Sequence, residues 1–295
     1  MLKKMVVFLC ACSLTGVFYL GCGGGGSSSN SPITGTGVFI DNVVVGLGYV
    51  SGDVSGKTDN TGTFKTSGST IEFKVGSIVL GTPTDVQPFI TPVFLVPNGT
   101  INNNALSRTA ADNEVLDIAR FLMSISDNTT TDGKLHIPPT VDNAALGKTL
   151  NFATDNAATI DAMITTIAGN VHIYSRNEAA AHLTGSILGE LAGSYSGTYQ
   201  ATSSVGGQSG TWVSTVAGPH SDNTDSVSGT LTATSGLGAP DTTAFTGTVD
   251  PNGHVSFSGA TPGTATITTS GTFTSTITVT KGGVVFTVVI SGKKN

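Results

Sequence analysis

The chain has 295 residues and only three cysteines, Cys10, Cys12 and Cys22, all within the first 22 positions. The body that follows has no thiol for a disulfide framework or a thiolate metal site. Charge is scarce as well. Asp, Glu, Lys and Arg make up 11% of residues, against about 25% in an average globular domain. The balance is acidic, with 19 acidic and 13 basic residues. Two of those basic residues, Lys3 and Lys4, sit at the extreme N-terminus, so the body is more acidic still. Such a surface repels phosphate backbones, and no nucleic acid partner is expected. Aromatic residues are 6%, with a single tryptophan. Nothing beyond the N-terminal apolar run approaches the ~20 residues of a membrane-spanning helix. Hydroxyl and amide side chains must therefore do the wetting that charge does elsewhere.

What is present begins at the N-terminus. Met1-Leu2-Lys3-Lys4 is positive, and Met5 to Leu20 is nearly uninterrupted apolar sequence. A positive start, an apolar middle and a small residue before a cut site form the pattern of an export signal. Here the small residue is Gly21, followed by Cys22 and the run "GGGGSSS". Residues 1–21 read as a signal peptide and 22–35 as a flexible Gly/Ser tether. Gly21, Gly23 and Gly26 satisfy G-x-G-x-x-G literally, but that pattern binds dinucleotides only between a strand and a helix. The stretch resembles bacterial lipoprotein signals, although Tyr19 and Leu20 depart from the usual residues. The resemblance implies cleavage after Gly21 and a covalent diacylglycerol and palmitate anchor on Cys22. It also implies attachment to the cell envelope, with Gly23 favouring the outer membrane of a Gram-negative bacterium.

Residues 36–106 read as strands. "STIEFKVGSIVLG" alternates Ile71, Phe73 and Val75 with Glu72 and Lys74, the period of a half-buried strand. "GKTDNTGTFKT" carries Asp59-Asn60-Thr61-Gly62, read as a hairpin turn with Gly in the left-handed position. These stretches resemble the small transthyretin-like β-sandwich modules of carboxypeptidase regulatory domains. With "ITPVFLV" and "EVLDIARFLMSISD" behind them, residues 38–140 resemble a module repeated in surface proteins and lipoproteins of Gram-negative bacteria. That family brings no assigned chemistry.

Residues 107–192 read as a three-helix connector. Val115, Ile118, Ala119, Leu122 and Ile125 form an apolar stripe at helical spacing. Glu114, Asp117, Arg120 and Ser124 are expected to form its wet face. A second helix starts at a cap provided by Thr154 or Asp155, buries Ile160, Met163, Ile164 and Ile167, and stops at Gly169. A third carries Leu183, Ile187 and Leu191 on one face.

Residues 193–295 read as an antiparallel β-barrel or sandwich of about 7–8 strands. Ser or Thr precedes Gly at 197, 210, 229, 247, 259, 271 and 292, the rhythm of short strands. In "GTFTSTITVTK", Thr272 to Thr280 at even positions face outward, while Phe273, Ser275, Ile277 and Val279 face inward. The "GSYSGTY…SGTW" opening and "SGKKN" ending resemble small barrel domains at the C-termini of other bacterial lipoproteins. The fold class expected for the chain is multidomain and mainly β, with a helical middle.

No nucleophile elbow or zinc motif stands out, so an enzyme is not expected. Tyr195, Tyr199 and Trp212 are the candidates for contact with a small ligand or an envelope partner; their other reading is a plug of the barrel core. Asp127 and Asp132, in "DNTTTDG", are the weak candidates for calcium, although the EF-hand pattern fails. Of the five histidines, His182 is expected to hydrogen-bond a neighbouring domain, with Gly185 and Gly189 on its face allowing close approach. His254 follows the Asn252-Gly253 turn and is expected to be solvated; His220 is assigned to a loop. The function expected is a membrane-anchored envelope lipoprotein with a structural, adhesive or interaction role. The alternative is binding of a small apolar ligand in the barrel; a hydrolase ranks lower.

Overall fold

The computed structural model describes residues 35–295 apart from 128–130, 219–222, 237–238, 259–262, 269–270 and 282–283. Gly21, Cys22, the tether as far as residue 34 and His220 lie outside the described residues; Gly35, read as the end of the tether, already opens the first strand. The fold is mainly β, with helices in the middle and a closed antiparallel barrel at the C-terminal end.

The head begins with nine short strands: β1 (Gly35–Phe39), β2 (Val44–Val45), β3 (Gly48–Ser51), β4 (Val54–Lys57), β5 (Thr63–Thr66), β6 (Thr70–Val75), β7 (Ile78–Val79), β8 (Thr84–Asp85) and β9 (Phe89–Ile90). All but β2 form two small sheets, β5-β1-β9 and β4-β3-β6-β7, with β8 also on β6. Ile71, Phe73 and Val75 are buried on one face of β6 while Glu72 and Lys74 stay half-buried, as the alternation predicts. Between the sheets Phe39, Phe64 and Phe73 meet edge to face, with centroids 4.6 and 5.3 Å apart. The Asp59–Gly62 turn is tight, with Gly62 at φ 71°. Asp59 Oδ1 accepts from the backbone of Thr61 and Thr63. Its flanking strands do not pair as a hairpin, however. β4 joins β3, while β5 crosses to β1 in the other sheet. Turn chemistry specifies the local bend and leaves the destination of each strand to packing.

The helices are α1 (Ala110–Ile125), α2 (Pro139–Ala144), α3 (Ala157–Ala168) and α4 (Arg176–Leu191), with a two-residue strand, β10 (Leu135–His136), pairing parallel to β2. The short α2 is additional to the three helices read from the sequence. Thr109 with Asp112 and Ser175 with Glu178 form capping boxes on α1 and α4. Asn156, rather than Thr154 or Asp155, caps α3, because its side chain reaches the N–H of Thr159. Gly169 ends α3 at φ 77°.

The expected wet face of α1 is a correction. Asp117, Arg120 and Ser124 are buried. The helical pattern shows that these side chains share a face, but not what that face meets. It meets α3 and α4, which bring charged partners. Asp117 Oδ1 accepts from Arg120 Nε (2.7 Å) and Arg176 Nε (2.9 Å), and its Oδ2 accepts from Arg176 Nη2 (2.6 Å). Arg120 Nη1 donates to Asp161 Oδ1 at 2.5 Å. Ser124 Oγ donates to the Arg120 carbonyl and accepts from Tyr174 N. Buried Asp117 and Arg120 are thus paired with each other and with the more exposed Asp161 and Arg176 at the edge of the helical layer. The hydrogen bonds that Arg176 donates to Asp117 hold it more firmly protonated than usual.

The barrel is β11 (Gly193–Ser203), β12 (Gly206–Ala217), β13 (Asp225–Gly236), β14 (Asp241–Val249), β15 (His254–Ser258), β16 (Gly263–Ile267), β17 (Thr272–Lys281) and β18 (Val284–Lys294). Each strand pairs with the next, and β18 closes on β11. Along β17, Phe273, Ser275 and Ile277 are buried and Thr272, Thr274, Thr276 and Thr278 exposed. The side chains at 279 and 280 lie outside the described residues.

The recurring glycines fall mostly inside strands, and pairing shows their use. Tyr199 stands opposite Gly210, Trp212 opposite Gly197, Phe245 opposite Gly229, Phe257 opposite Gly247 and Gly263, and Phe273 opposite Gly292. A Cβ on Gly292 or Gly229 would come within 2.5 Å of the Trp212 or Phe245 ring. The missing side chains make room for rings in a narrow interior, a cross-strand form of aromatic-on-glycine packing. Gly271 is different: it turns the chain between strands at φ 71°.

Candidate functional site

The rings fill the barrel. Trp212 and Phe273 lie 4.6 Å apart, Phe257 and Phe273 6.4 Å, and Phe245 and Phe257 5.5 Å. The cavity left among Trp212, Phe245, Phe257, Phe273 and their neighbours is about 20 Å³. That accommodates about one water molecule, whereas small-molecule sites run from about 300 Å³ upward. Tyr195, Tyr199 and Trp212 are all buried in this core. Their polar tips are used within the protein. Tyr195 Oη donates to the Leu191 carbonyl (2.6 Å), and Trp212 Nε1 to the Ser291 carbonyl (3.0 Å). Burial pushes the Tyr195 hydroxyl up to about 12.

The outer wall mixes hydroxyls with the exposed side chains of Val213, Val285 and Val289, whereas a bilayer-spanning barrel carries a continuous apolar band outside and a polar interior. One register row runs Thr266, Thr274, Ser291, Thr198, Thr211, Thr232 and Thr242 across neighbouring strands from β16 round to β14. Among the described residues, no helix is long and apolar enough to cross a membrane.

Asp132 faces His136 Nε2 at 3.0 Å and Lys134 Nζ at 3.8 Å. The Asp127 N–H bonds the His136 carbonyl, and residues 128–130 between the two aspartates lie outside the described residues. Among the described residues there is no group of three or more His, Cys, Asp or Glu side chains arranged to hold a metal.

His182 reaches the β-module as expected. Its Nε2 lies 3.3 Å from the Asp41 carbonyl and 3.4 Å from Asp41 Oδ1. Gly189 does not admit a close neighbour, since a Cβ there would meet nothing within 4 Å. The close approach is made instead by Ser186, which accepts from Asn42 N and donates to Asn42 Oδ1. Asp41 is fully buried, and neither carboxylate oxygen has a hydrogen bond. Burial pushes its pKa up to about 6, and His182 pulls in the opposite direction.

A roomier feature lies at the seam between head and barrel. Val93 and Phe94 in a 3₁₀ turn (Pro92–Leu95), Gly99 and Thr100, and Ile187 and Leu191 of α4 form the head side. Pro251, Asn252, Gly253, His254 and Ile267 form the barrel side. The cleft encloses about 260 Å³. The seam is joined by Lys294 Nζ to the Glu190 carbonyl (2.6 Å) and Ile101 N to Asn252 Oδ1 (3.4 Å). Asp250 organises the barrel-side turn. Its Oδ1 accepts from Asn252 N and His254 N, both at 2.9 Å, and its Oδ2 lies 3.2 Å from His254 Nδ1. His254 is exposed, as expected. The cleft itself was not readable from the sequence. Its only local signal is "DPNGH", an Asx-type turn with Asp four residues before His.

Comparison with protein-family models, with curated proteins and with solved structures found no match. The fold defines the chain as a mixed β/α head joined to an eight-stranded up-and-down barrel.

Proposed function

We propose that this is an exported lipoprotein of the cell envelope, anchored by diacylglycerol and palmitate on Cys22 and serving a structural, adhesive or interaction role. The observation that carries the proposal is the apolar leader ending in Leu20-Gly21-Cys22 and followed at once by a Gly/Ser run. Two features support it. The barrel wall is rich in hydroxyls outside and packed with rings inside, which suits a domain held beside a bilayer rather than within it. The 273 residues after Cys22 contain no cysteine, so thiol chemistry at Cys22 has no partner further along the chain. The outer membrane of a Gram-negative bacterium is the proposed location. Membrane lipid, through the anchor, and an envelope protein are the proposed partners, and catalysis forms no part of the role. Metabolic labelling with a palmitate analogue tests the anchor. Label is expected on the wild type and lost in Cys22→Ala; an unlabelled wild type, or label surviving the substitution, overturns the proposal.

A further inference from the structure

The cleft between head and barrel has a chemistry that the anchoring role does not use. Its floor is apolar: Val93, Phe94, Ile187, Leu191, Pro251 and Ile267. Its volume, about 260 Å³, is near the lower end for small-molecule sites at about 300 Å³ and far above what the barrel interior offers. Of the polar lining groups, Thr91 is buried and its Oγ1 accepts from Val93 N, while Thr100, Asn252 and His254 lie toward solvent. Among them His254 is held by Asp250, whose Oδ2 lies 3.2 Å from Nδ1. A carboxylate only accepts, so Nδ1 is the ring's donor toward Asp250, and Nε2 is the nitrogen left as an acceptor whenever the ring carries a single proton. The imidazole side chain is 68% exposed, so that acceptor is not consumed by burial.

Charge decides between head groups. No Lys or Arg lines the cleft, and the Asp250 carboxylate stands directly behind His254. A carboxylate or phosphate head would meet negative charge without a cation to offset it. A hydroxyl head would donate to Nε2 while its tail covers the floor. We infer that the head–barrel cleft binds a small neutral amphiphile with a hydroxyl head and a medium-length apolar tail, with His254 as the head-group acceptor.

The test uses the full-length chain with three probes of equal tail length: 1-octanol, octyl methyl ether and octanoate. Saturation-transfer NMR and isothermal titration report binding. 1-Octanol is expected to bind saturably, with the ether and octanoate each weaker by about tenfold, the worth of one hydrogen bond near the top of its usual range. His254→Ala should bring 1-octanol down to the level of the ether without changing the melting temperature, because the side chain is on the exposed rim. Val93→Trp, which fills the cleft from the half-buried 3₁₀ turn, should abolish binding of all three. No saturable octanol binding, or octanol binding unchanged by His254→Ala, overturns the inference. Octanol binding that survives Val93→Trp in a variant with wild-type unfolding also overturns it. Labelling at Cys22 is read separately, so failure here leaves the anchor proposal standing.

Discussion

The helical layer of the head buries a charged cluster with its partners, whereas the barrel buries mainly rings and carries most of its hydroxyls on the outer wall, with Ser214, Asp225 and Ser275 as buried exceptions. Asp117, Arg120 and Ser124 are buried among helices that supply Asp161, Arg176 and a backbone N–H. The barrel buries Trp212, Phe273 and Tyr199 instead and places threonines toward water. The difference follows from the elements. A helix surrounded on several sides has no face left for solvent, so its polar residues need internal partners. A strand in a closed barrel alternates strictly, so every second residue reaches water whatever the interior holds. The two regions should therefore respond differently to the same kind of substitution.

The largest effect is expected from Asp117→Ala. It removes the carboxylate shared by Arg120 and Arg176, leaving buried Arg120 with Asp161 as its remaining ion-pair partner and half-buried Arg176 without this one. A loss of about 3–5 kcal/mol in urea unfolding is expected, the usual cost of breaking a buried ion pair. A loss below about 1 kcal/mol would place this network with exposed pairs and erase the contrast with the barrel.

Asp41→Asn should act in the opposite direction. The folded carboxyl titrates near 6, against about 3.9 in the unfolded chain. Stability from the neutral form is fully present below about pH 4 and is lost as pH rises through about 6. At pH 7 the amide variant should be more stable by up to about 3 kcal/mol, at about 1.4 kcal/mol per pKa unit. The gain should close toward pH 4. A pH-independent difference would contradict the assignment to Asp41.

Gly292→Ala probes the barrel. The new Cβ would meet the Ser196 carbonyl and the Trp212 ring, and overpacking of this kind costs about 1–3 kcal/mol. Pairing it with Trp212→Phe should give a smaller loss than the sum of the two single variants, since the ring and the glycine share one space. Strict additivity in that cycle would mean that the glycine does not serve the ring. Smallest of all should be Thr274→Ala on the outer wall, within about 0.5 kcal/mol of wild type.

The barrel was the more legible region. Period-2 patterning in "GTFTSTITVTK" assigned the described faces of β17 without error, and the spacing of Ser/Thr-Gly pairs approached the true strand number. What the spacing did not show was why glycine recurs, because its opposite ring lies on another strand. The apolar stripe of α1 was also readable. Its polar stripe misled, since Asp161 and Arg176 come from positions 41 and 56 residues after Arg120 and their arrival depends on tertiary packing. The head–barrel cleft drew on five separate chain segments, and no local pattern joins them.

Membrane fractionation of the wild type beside Cys22→Ala tests the proposed anchor most directly. The wild type is expected in the membrane fraction, and the variant in the released fraction with unchanged thermal unfolding. A correctly folded Cys22→Ala protein that stays with the membrane would contradict the anchor.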